Sequence, residues 1–191
     1  MLESSLPPSG HKVQLVRPLP DEFPLLVKWR NESRDYFFHN APITFESHDK
    51  WYWNLSRNAS ERFYMIRTVG MVPVGTVGLS VDSHNACAEY GRFLVAQEHR
   101  RNGYGYETLF LLLRYAFEGL HLHRVHGDIL AINDVGVQLD LALGFQPEGV
   151  FRQAVRRGDT YLDVVRMAIL AHEFEAIRPI LEEQCQRKRG S

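Results

Sequence analysis

The order of periodicities along these 191 residues predicts an α+β (mixed α/β) domain built on one central sheet flanked by helices. Three observations carry that expectation. Period-two alternation recurs in short segments, the first from Val13 to Arg17 and the last from Thr160 to Leu170. Apolar residues at helical spacing fill the stretches between several of them. A glycine-rich turn, Arg100-Arg101-Asn102-Gly103-Tyr104-Gly105, stands between a strand and the clearest helix of the chain.

Taken in order, residues 1–12 read as a flexible leader holding Pro7, Pro8, Ser9 and Gly10. After the strand that opens at Val13, Asp21 is placed to cap a helix bearing Phe23, Leu26, Val27 and Arg30. Residues 31–44 read as irregular, and Thr44 or Ser47 starts a second helix containing Trp51, Trp53 and Leu55. Residues 62–69 and 73–82 are expected strands around a turn at Gly70, followed by a strand over 88–95. Leu109, Leu112, Leu113, Ala116, Phe117 and Leu120 mark one helix face, with Gly119 near its end. A strand from Arg124 to Leu130, a helix from Asp134 to Leu143 and a strand from Phe145 come next. After the last strand, a helix over roughly 171–186 aligns Ala171, Phe174, Ile177, Ile180 and Leu181 on one face. That face suits packing on its own domain or on a second subunit, which admits a homodimer. The expected layout is a leader over 1–12, the domain over 13–170, and a C-terminal helix with a solvated basic end over 171–191.

The composition, 45% hydrophobic and 24% charged, is that of an ordinary globular chain. A net charge of −1 gives no sign of sequence-independent nucleic-acid binding, which needs uncompensated cations. No stretch reaches the length of a membrane span, and Met1 to Gly10 holds no apolar signal core. Cys87 and Cys185 match no metal spacing and read as free thiols in a reducing compartment, so a cytoplasmic protein is expected. His121, His123 and His126 lack a carboxylate or cysteine at metal-ligand spacing, and no metal is expected.

The glycine-rich turn has the makings of an anion cradle. A helix start offers unpaired N–H groups and partial positive charge, and glycines let a phosphate approach them. Arg100 and Arg101 add charge suited to a pyrophosphate. The spacing is neither the three-glycine dinucleotide fingerprint nor a Walker loop.

Arg-x-x-Gly-x-Gly, as Arg100, Gly103 and Gly105, resembles the acetyl-CoA motif of the GCN5-related N-acetyltransferases. Phe93-Leu94-Val95 before it, Tyr115-Ala116-Phe117, Asn133, Leu143-Gly144-Phe145 and Asp163 to Leu170 follow in that family's order. The resemblance covers about 13–170. It implies a twisted mixed sheet of about six to seven strands and acetyl-CoA as co-substrate. It also implies transfer of an acetyl group to a primary amine by direct attack. Phe93, Leu94 and Val95 are then expected to bind the pantetheine arm, and Arg101 to Tyr106, with Asn102 and Tyr104, to hold the pyrophosphate. Asn133 matches a cofactor-contacting position and is equally placed as a helix cap. Glu89 is the expected base, with His84 second and a purely structural carboxylate as the alternative. The N–H of Leu94 or Val95 is the expected oxyanion donor. Asp140 stands where relatives often carry a tyrosine acid. Either its pKa is raised, Tyr104 or Tyr106 helps, or the thiolate leaves without an acid.

On the acceptor side, Trp29, Arg30, Asn31, His39 and Trp51 are the expected substrate residues. Trp-Arg-Asn ending one helix and Pro-Ile-Thr leading to the next resemble enzymes that acetylate amino sugars on nucleotides, in the flagellin-sugar branch. Aromatic faces suit a sugar or base, and Arg30 suits a phosphate. Ribosomal-protein N-terminal and polyamine acetyltransferases are the alternative acceptor classes. Arg166-Met167-Ala168-Ile169-Leu170 followed by His172-Glu173-Phe174 resembles the latter. A non-catalytic acyl-CoA sensor is the alternative from another class.

Overall fold

Seven strands among the described residues form one sheet in the order β1-β2-β3-β4-β5-β7-β6. The structure is a computed structural model that describes residues 7–187. The first half of the expected leader and the basic end beyond Arg187 lie outside the described residues. The strands are β1 (Val13–Val16), β2 (Glu61–Thr68), β3 (Pro73–Asp82), β4 (Cys87–Val95), β5 (Arg124–Leu130), β6 (Gln146–Arg157) and β7 (Thr160–Leu170). The helices are α1 (Phe23–Glu32), α2 (Phe45–Ser56), α3 (Tyr104–Arg114), α4 (Asp134–Ala142) and α5 (Ala171–Arg187).

All neighbouring strands pair antiparallel except β4 with β5, which run parallel. Alternation along the strands feeds two cores. On one face, Tyr64 and Ile66 of β2 join Leu79 of β3 under α3 and α5. On the other, Phe63 and Met65 meet Phe23, Leu26 and Trp29 of α1.

Local chemistry explains the helix ends. The first helix starts one residue later than Asp21 suggests. A short 3₁₀ turn, Pro20–Glu22, precedes it, and Glu22 accepts a hydrogen bond from the Leu19 N–H at 2.7 Å. Thr44 caps α2: its hydroxyl accepts from the Ser47 N–H at 3.2 Å, and Ser47 Oγ accepts from the Thr44 N–H at 3.0 Å. The long helix ends earlier than its apolar face suggests, in a π-helical turn over Tyr115–Gly119. Most of the expected apolar face of α5 is used within its own domain, while Ile180 is 57% exposed. Phe174, Leu181 and Cys185 are buried, and the Phe174 ring lies 5.2 Å from that of Phe117.

Residues 10–12 are pinned rather than loose. Glu107, in the first turn of α3 and 2% exposed, accepts hydrogen bonds from the N–H groups of His11 (2.5 Å) and Lys12 (2.8 Å). The Lys12 ammonium donates to the Asn102 carbonyl at 3.2 Å. This latch ties the glycine turn to the start of β1. Glu107→Ala leaves two N–H groups without their acceptor, and is expected to cost about 2–4 kcal/mol in urea unfolding. Amide exchange at His11 and Lys12 should quicken in the same variant, and unchanged exchange would contradict the latch.

Candidate active site

The site begins where two strands stop pairing. β4 and β5 are in register only at Cys87↔Arg124, Ala88↔Val125 and Glu89↔His126. Beyond that they diverge, leaving residues 90–95 and 127–130 as the arms of a fork. The Tyr90 ring sits at its base: a Cβ on Gly127 would lie 2.2 Å from Tyr90 Cε1, so only glycine fits there. A bulge bends β4 as the arms part. Thr76 faces Leu94 and Gly78 faces Gly91, which sets Arg92 and Phe93 against the single residue Val77. Arg92 takes the left-handed conformation, φ 50°. Its carbonyl accepts from the Thr76 hydroxyl at 2.9 Å.

Register decides which amides face the fork. The Ala96 N–H donates to the Val74 carbonyl at 2.9 Å. Counting back two residues, the Leu94 N–H also turns toward β3, opposite Thr76. The N–H groups of Val95 and Phe93 then turn into the fork. Of the two expected oxyanion donors, Leu94 thus has its N–H directed into the sheet. Val95, the other expected donor, keeps its N–H on the fork side, and Phe93 nearest the bulge adds a second N–H there. No periodicity reveals on which side of a bulge an N–H points.

Above the fork, Arg101 (φ 65°) and Gly103 (φ 77°) turn the chain into α3. No side chain caps this helix, and its first internal bond runs from the Glu107 N–H to the Gly103 carbonyl. The N–H groups of Tyr104, Gly105 and Tyr106 are thus helix-start donors. A Cβ on Gly105 would lie 3.4 Å from the Phe93 ring and 3.7 Å from Val95, so the cradle adjoins the fork. Arg101 is exposed and, among the described residues, has no ion-pair partner. Arg100 is engaged elsewhere: it donates to the Val95 carbonyl at 3.2 Å and the Ser33 hydroxyl at 3.3 Å. The Asn102 amide braces the turn through the His99 and Arg100 carbonyls, at 3.1 and 3.2 Å. Tyr106 points into the core and donates to Gln184 at 2.5 Å, and burial pushes its phenol up to about 12. Its side chain is not part of the cavity lining. Tyr104 also packs against the main core.

A cavity of about 520 Å³ joins the fork to the α1 and α2 side. Glu89, Tyr90, Phe93 and Leu94 border it from β4, Asp128 and Ile129 from β5, and Asn133 from the start of α4. Asn133 is the cap of α4, its side chain accepting from the Gly136 N–H at 3.2 Å, and it also borders the cavity. The far wall is aromatic, with Tyr36, Phe37, Phe38, Trp51 and Phe63.

The expected substrate residues divide. Arg30, His39 and Trp51 border the cavity. Trp29 does not: it is 2% exposed in the core, and its indole N–H donates to Glu98 at 3.2 Å. Asn31 is spent on structure, since its amide donates to and accepts from the Ile43 backbone at 2.9 and 2.8 Å. The Arg30 guanidinium lies 3.9 Å over the Phe37 ring and donates to the His39 carbonyl, with Nη1 buried and unpartnered. Burial, and Arg157 beside it, lower its pKa.

Among titratable groups, Glu89 is exposed at the fork. His84 sits in the β3–β4 turn, away from the cavity lining. His48 lies on α2, one of the helices expected to build the acceptor side. It is buried on the wall with Nδ1 unpartnered, and burial lowers its pKa. Asp140 lies outside the lining and is 0% exposed. Tyr90 Oη donates into its carboxylate, 2.7 and 2.6 Å from the two oxygens. Burial raises the Asp140 carboxyl to about 7, opposed only by that hydrogen bond.

An N–H-lined fork under an uncapped helix start, with an aromatic cavity beside it, suits a long anionic, amide-bearing molecule such as an acyl thioester of a nucleotide. Residues 13–146 match the model of the acetyltransferase (GNAT) domain, and the chain belongs to that family. The uncharacterized N-acetyltransferase YoaA of Bacillus subtilis is 33% identical over 91 residues, 47% of this chain and 51% of that protein. The chain thus spans about half the length of that relative. Spermidine N(1)-acetyltransferase of Escherichia coli is 25% identical over 173 residues, 88% of this chain and 91% of that protein. Spermidine N-acetyltransferase of Vibrio cholerae, solved with CoA and spermine, superposes with a TM-score of 0.79 at 23% identity. It covers 85% of this chain and 98% of that one. This likeness is one of fold.

The buried carboxyl gives a pH signature. With the Asp140 pKa near 7 in the fold and 3.8 as its ordinary value, the folded state holds the proton more tightly. Stability is full below about pH 4 and falls as the pH rises toward 7, by about 4 kcal/mol from this group. Asp140→Asn should flatten that part of the profile in urea unfolding at pH 4–8. An unaltered slope would remove the buried-carboxyl account.

Proposed function

We propose that this chain is an acetyl-CoA-dependent N-acetyltransferase whose acceptor is the primary amine of an aliphatic polyamine. The observation that carries the reading is the fork continuous with the uncapped start of α3. The residues present fit the co-substrate. The N–H groups of Tyr104, Gly105 and Tyr106, with Arg101, suit a pyrophosphate. The strand-edge amides of Val95 and Phe93 suit the amide groups of a pantetheine arm. Asn133 lies where the two meet the cavity.

The amine approaches from the aromatic side. Aromatic faces attract ammonium groups and cover methylenes, as a polyamine chain requires. Glu89 receives the proton of the attacking nitrogen, directly or through water. The Phe93 N–H faces the oxygen that gains charge as the carbon–nitrogen bond forms. Glu89 and Asp128 are the carboxylates on the cavity, with Asp128 already paired to Arg166 at 2.7 Å. The E. coli and V. cholerae relatives support a polyamine over the amino sugar expected from the sequence, as does the diversion of Trp29 and Asn31 into structure.

One observation favours a second acceptor class. The unpartnered Nη1 of Arg30, with Arg157 beside it, suits an acceptor carrying an anionic group, such as a nucleotide-linked amino sugar.

The test is release of CoA thiol from acetyl-CoA with a panel of spermidine, spermine, amino sugar nucleotides and N-terminal peptides. Turnover is expected with the polyamines. Turnover with amino sugar nucleotides alone would overturn that acceptor class, and CoA binding without turnover would mark a sensor. Gly105→Trp fills the cradle and should weaken CoA binding at least tenfold in calorimetry with the fold retained. Unchanged affinity would displace the cradle.

A further inference from the structure

A second cavity, of about 270 Å³, shares Phe63 with the first. It lies between Arg17, just past the end of β1, the last turn of α2 and the first residues of β2. Consecutive residues of α2 divide between the two cavities. Trp51 borders the first, with its ring 5.2 Å from that of Phe63. Tyr52 borders the second, with its ring 6.4 Å from Phe63. One phenyl ring is thus part of both walls.

The second cavity carries positive charge that the fold leaves unmatched. Arg17 and Arg62 border it, and neither is ion-paired among the described residues. Arg17 is exposed, so its guanidinium is open to a ligand. Arg62 is half-buried. One of its nitrogens serves the Ala59 and Glu61 carbonyls past the end of α2, and its Nε is buried with no partner. Glu61 is the one carboxylate among the described lining residues, and it is already taken. Its Oε2 accepts from Arg92 at 2.6 Å and from the Ser80 hydroxyl at 2.9 Å. Both cations act on the same phenol: burial and Tyr115 raise that of Tyr64, and Arg62 and Arg17 oppose the rise. Arginine does not shed its charge by losing a proton, so two unpaired guanidiniums on one cavity call for an anion.

We infer that this second cavity is a regulatory site for a phosphate group, held by Arg17 and Arg62 and coupled to the first cavity through Phe63. Guanidinium groups match the oxygens of a phosphate with paired, charge-assisted hydrogen bonds. The volume admits a phosphate alone or one carrying a small organic group, with Tyr52, Leu55 and Phe63 as its apolar wall. A ligand seated there fixes Tyr52 and the shared ring. Trp51, packed on the other side of that ring, belongs to the wall along which the amine is to pass. Occupancy of one cavity then alters affinity in the other, and the effect is reciprocal. Binding at the site stands apart from the acetyl-transfer reading above, and only its effect on turnover rests on that reading.

The probes are inorganic phosphate and phenyl phosphate, titrated by calorimetry into the full chain saturated with CoA, so that the glycine cradle is already filled. Saturable binding of a single equivalent is expected. Arg17→Gln, at an exposed side chain, and Arg62→Gln should each weaken it about tenfold, with CoA affinity unchanged as the check on folding. Arg152→Gln, at an exposed arginine outside the lining, should leave it as it was. Tighter binding of phenyl phosphate assigns the site to a phosphorylated small molecule, and equal or weaker binding assigns it to free phosphate. Saturating phosphate should also shift the KM of whichever amine turns over by about fivefold, with kcat kept. No binding of either probe, or binding that survives Arg17→Gln at full strength, overturns the site. Binding with an unmoved KM overturns the coupling through Phe63. A chain that transfers no acetyl group to any amine overturns the acetyl-transfer reading instead, and the titration still decides the site.

Discussion

Two strands that start in parallel register and cease to pair after three residues govern the rest of this molecule. A sheet normally consumes its backbone N–H groups on neighbouring strands. Here the bulge at Arg92 and Phe93 and the ring of Tyr90 against Gly127 hold β4 and β5 apart. The amides so released remain aligned by the far side of β4, which stays paired with β3. The fork is thus a rigid edge inside a protein rather than an aggregation-prone edge outside it. Its upper end runs into α3, whose starting N–H groups lack a side-chain cap. Strand edge and helix start form one continuous line of donors. That line suits an elongated molecule that is anionic at one end and amide-bearing along its length.

The two faces of the sheet divide the work. Beneath α3 and α5 the core is apolar and continuous, and the Glu107 latch anchors the start of β1 to the glycine turn. Beneath α1 and α2 the second core is smaller and gives way to the cavity. The aromatic residues there serve both purposes. Trp51 packs 5.2 Å from Phe63 and borders the cavity, whereas Trp29 is wholly internal. The aromatic wall of the cavity is therefore the unfinished edge of a core.

Much of this was legible in the residues. The strands from Arg124 to Leu130 and from Thr160 to Leu170 follow from alternation, and the Thr44 cap follows from side-chain chemistry. The glycine turn followed from its spacing. What escaped were properties set by partners distant in sequence. Glu107 finds its donors 96 and 95 residues away, and Tyr90 finds Asp140 50 residues away. Neither pairing leaves a periodic trace. The direction of the Leu94 N–H was not legible because it depends on ladder register, and the internal places of Trp29 and Asn31 were not because composition cannot separate a site wall from a buried brace.

The central claim is that the amides of Phe93, Val95 and Tyr104 to Tyr106 together grip one nucleotide thioester. Residue-resolved hydrogen exchange with and without CoA tests it most directly. Slower exchange confined to those amides and their immediate neighbours is the expected result. Protection elsewhere, with these amides unchanged, would contradict the account.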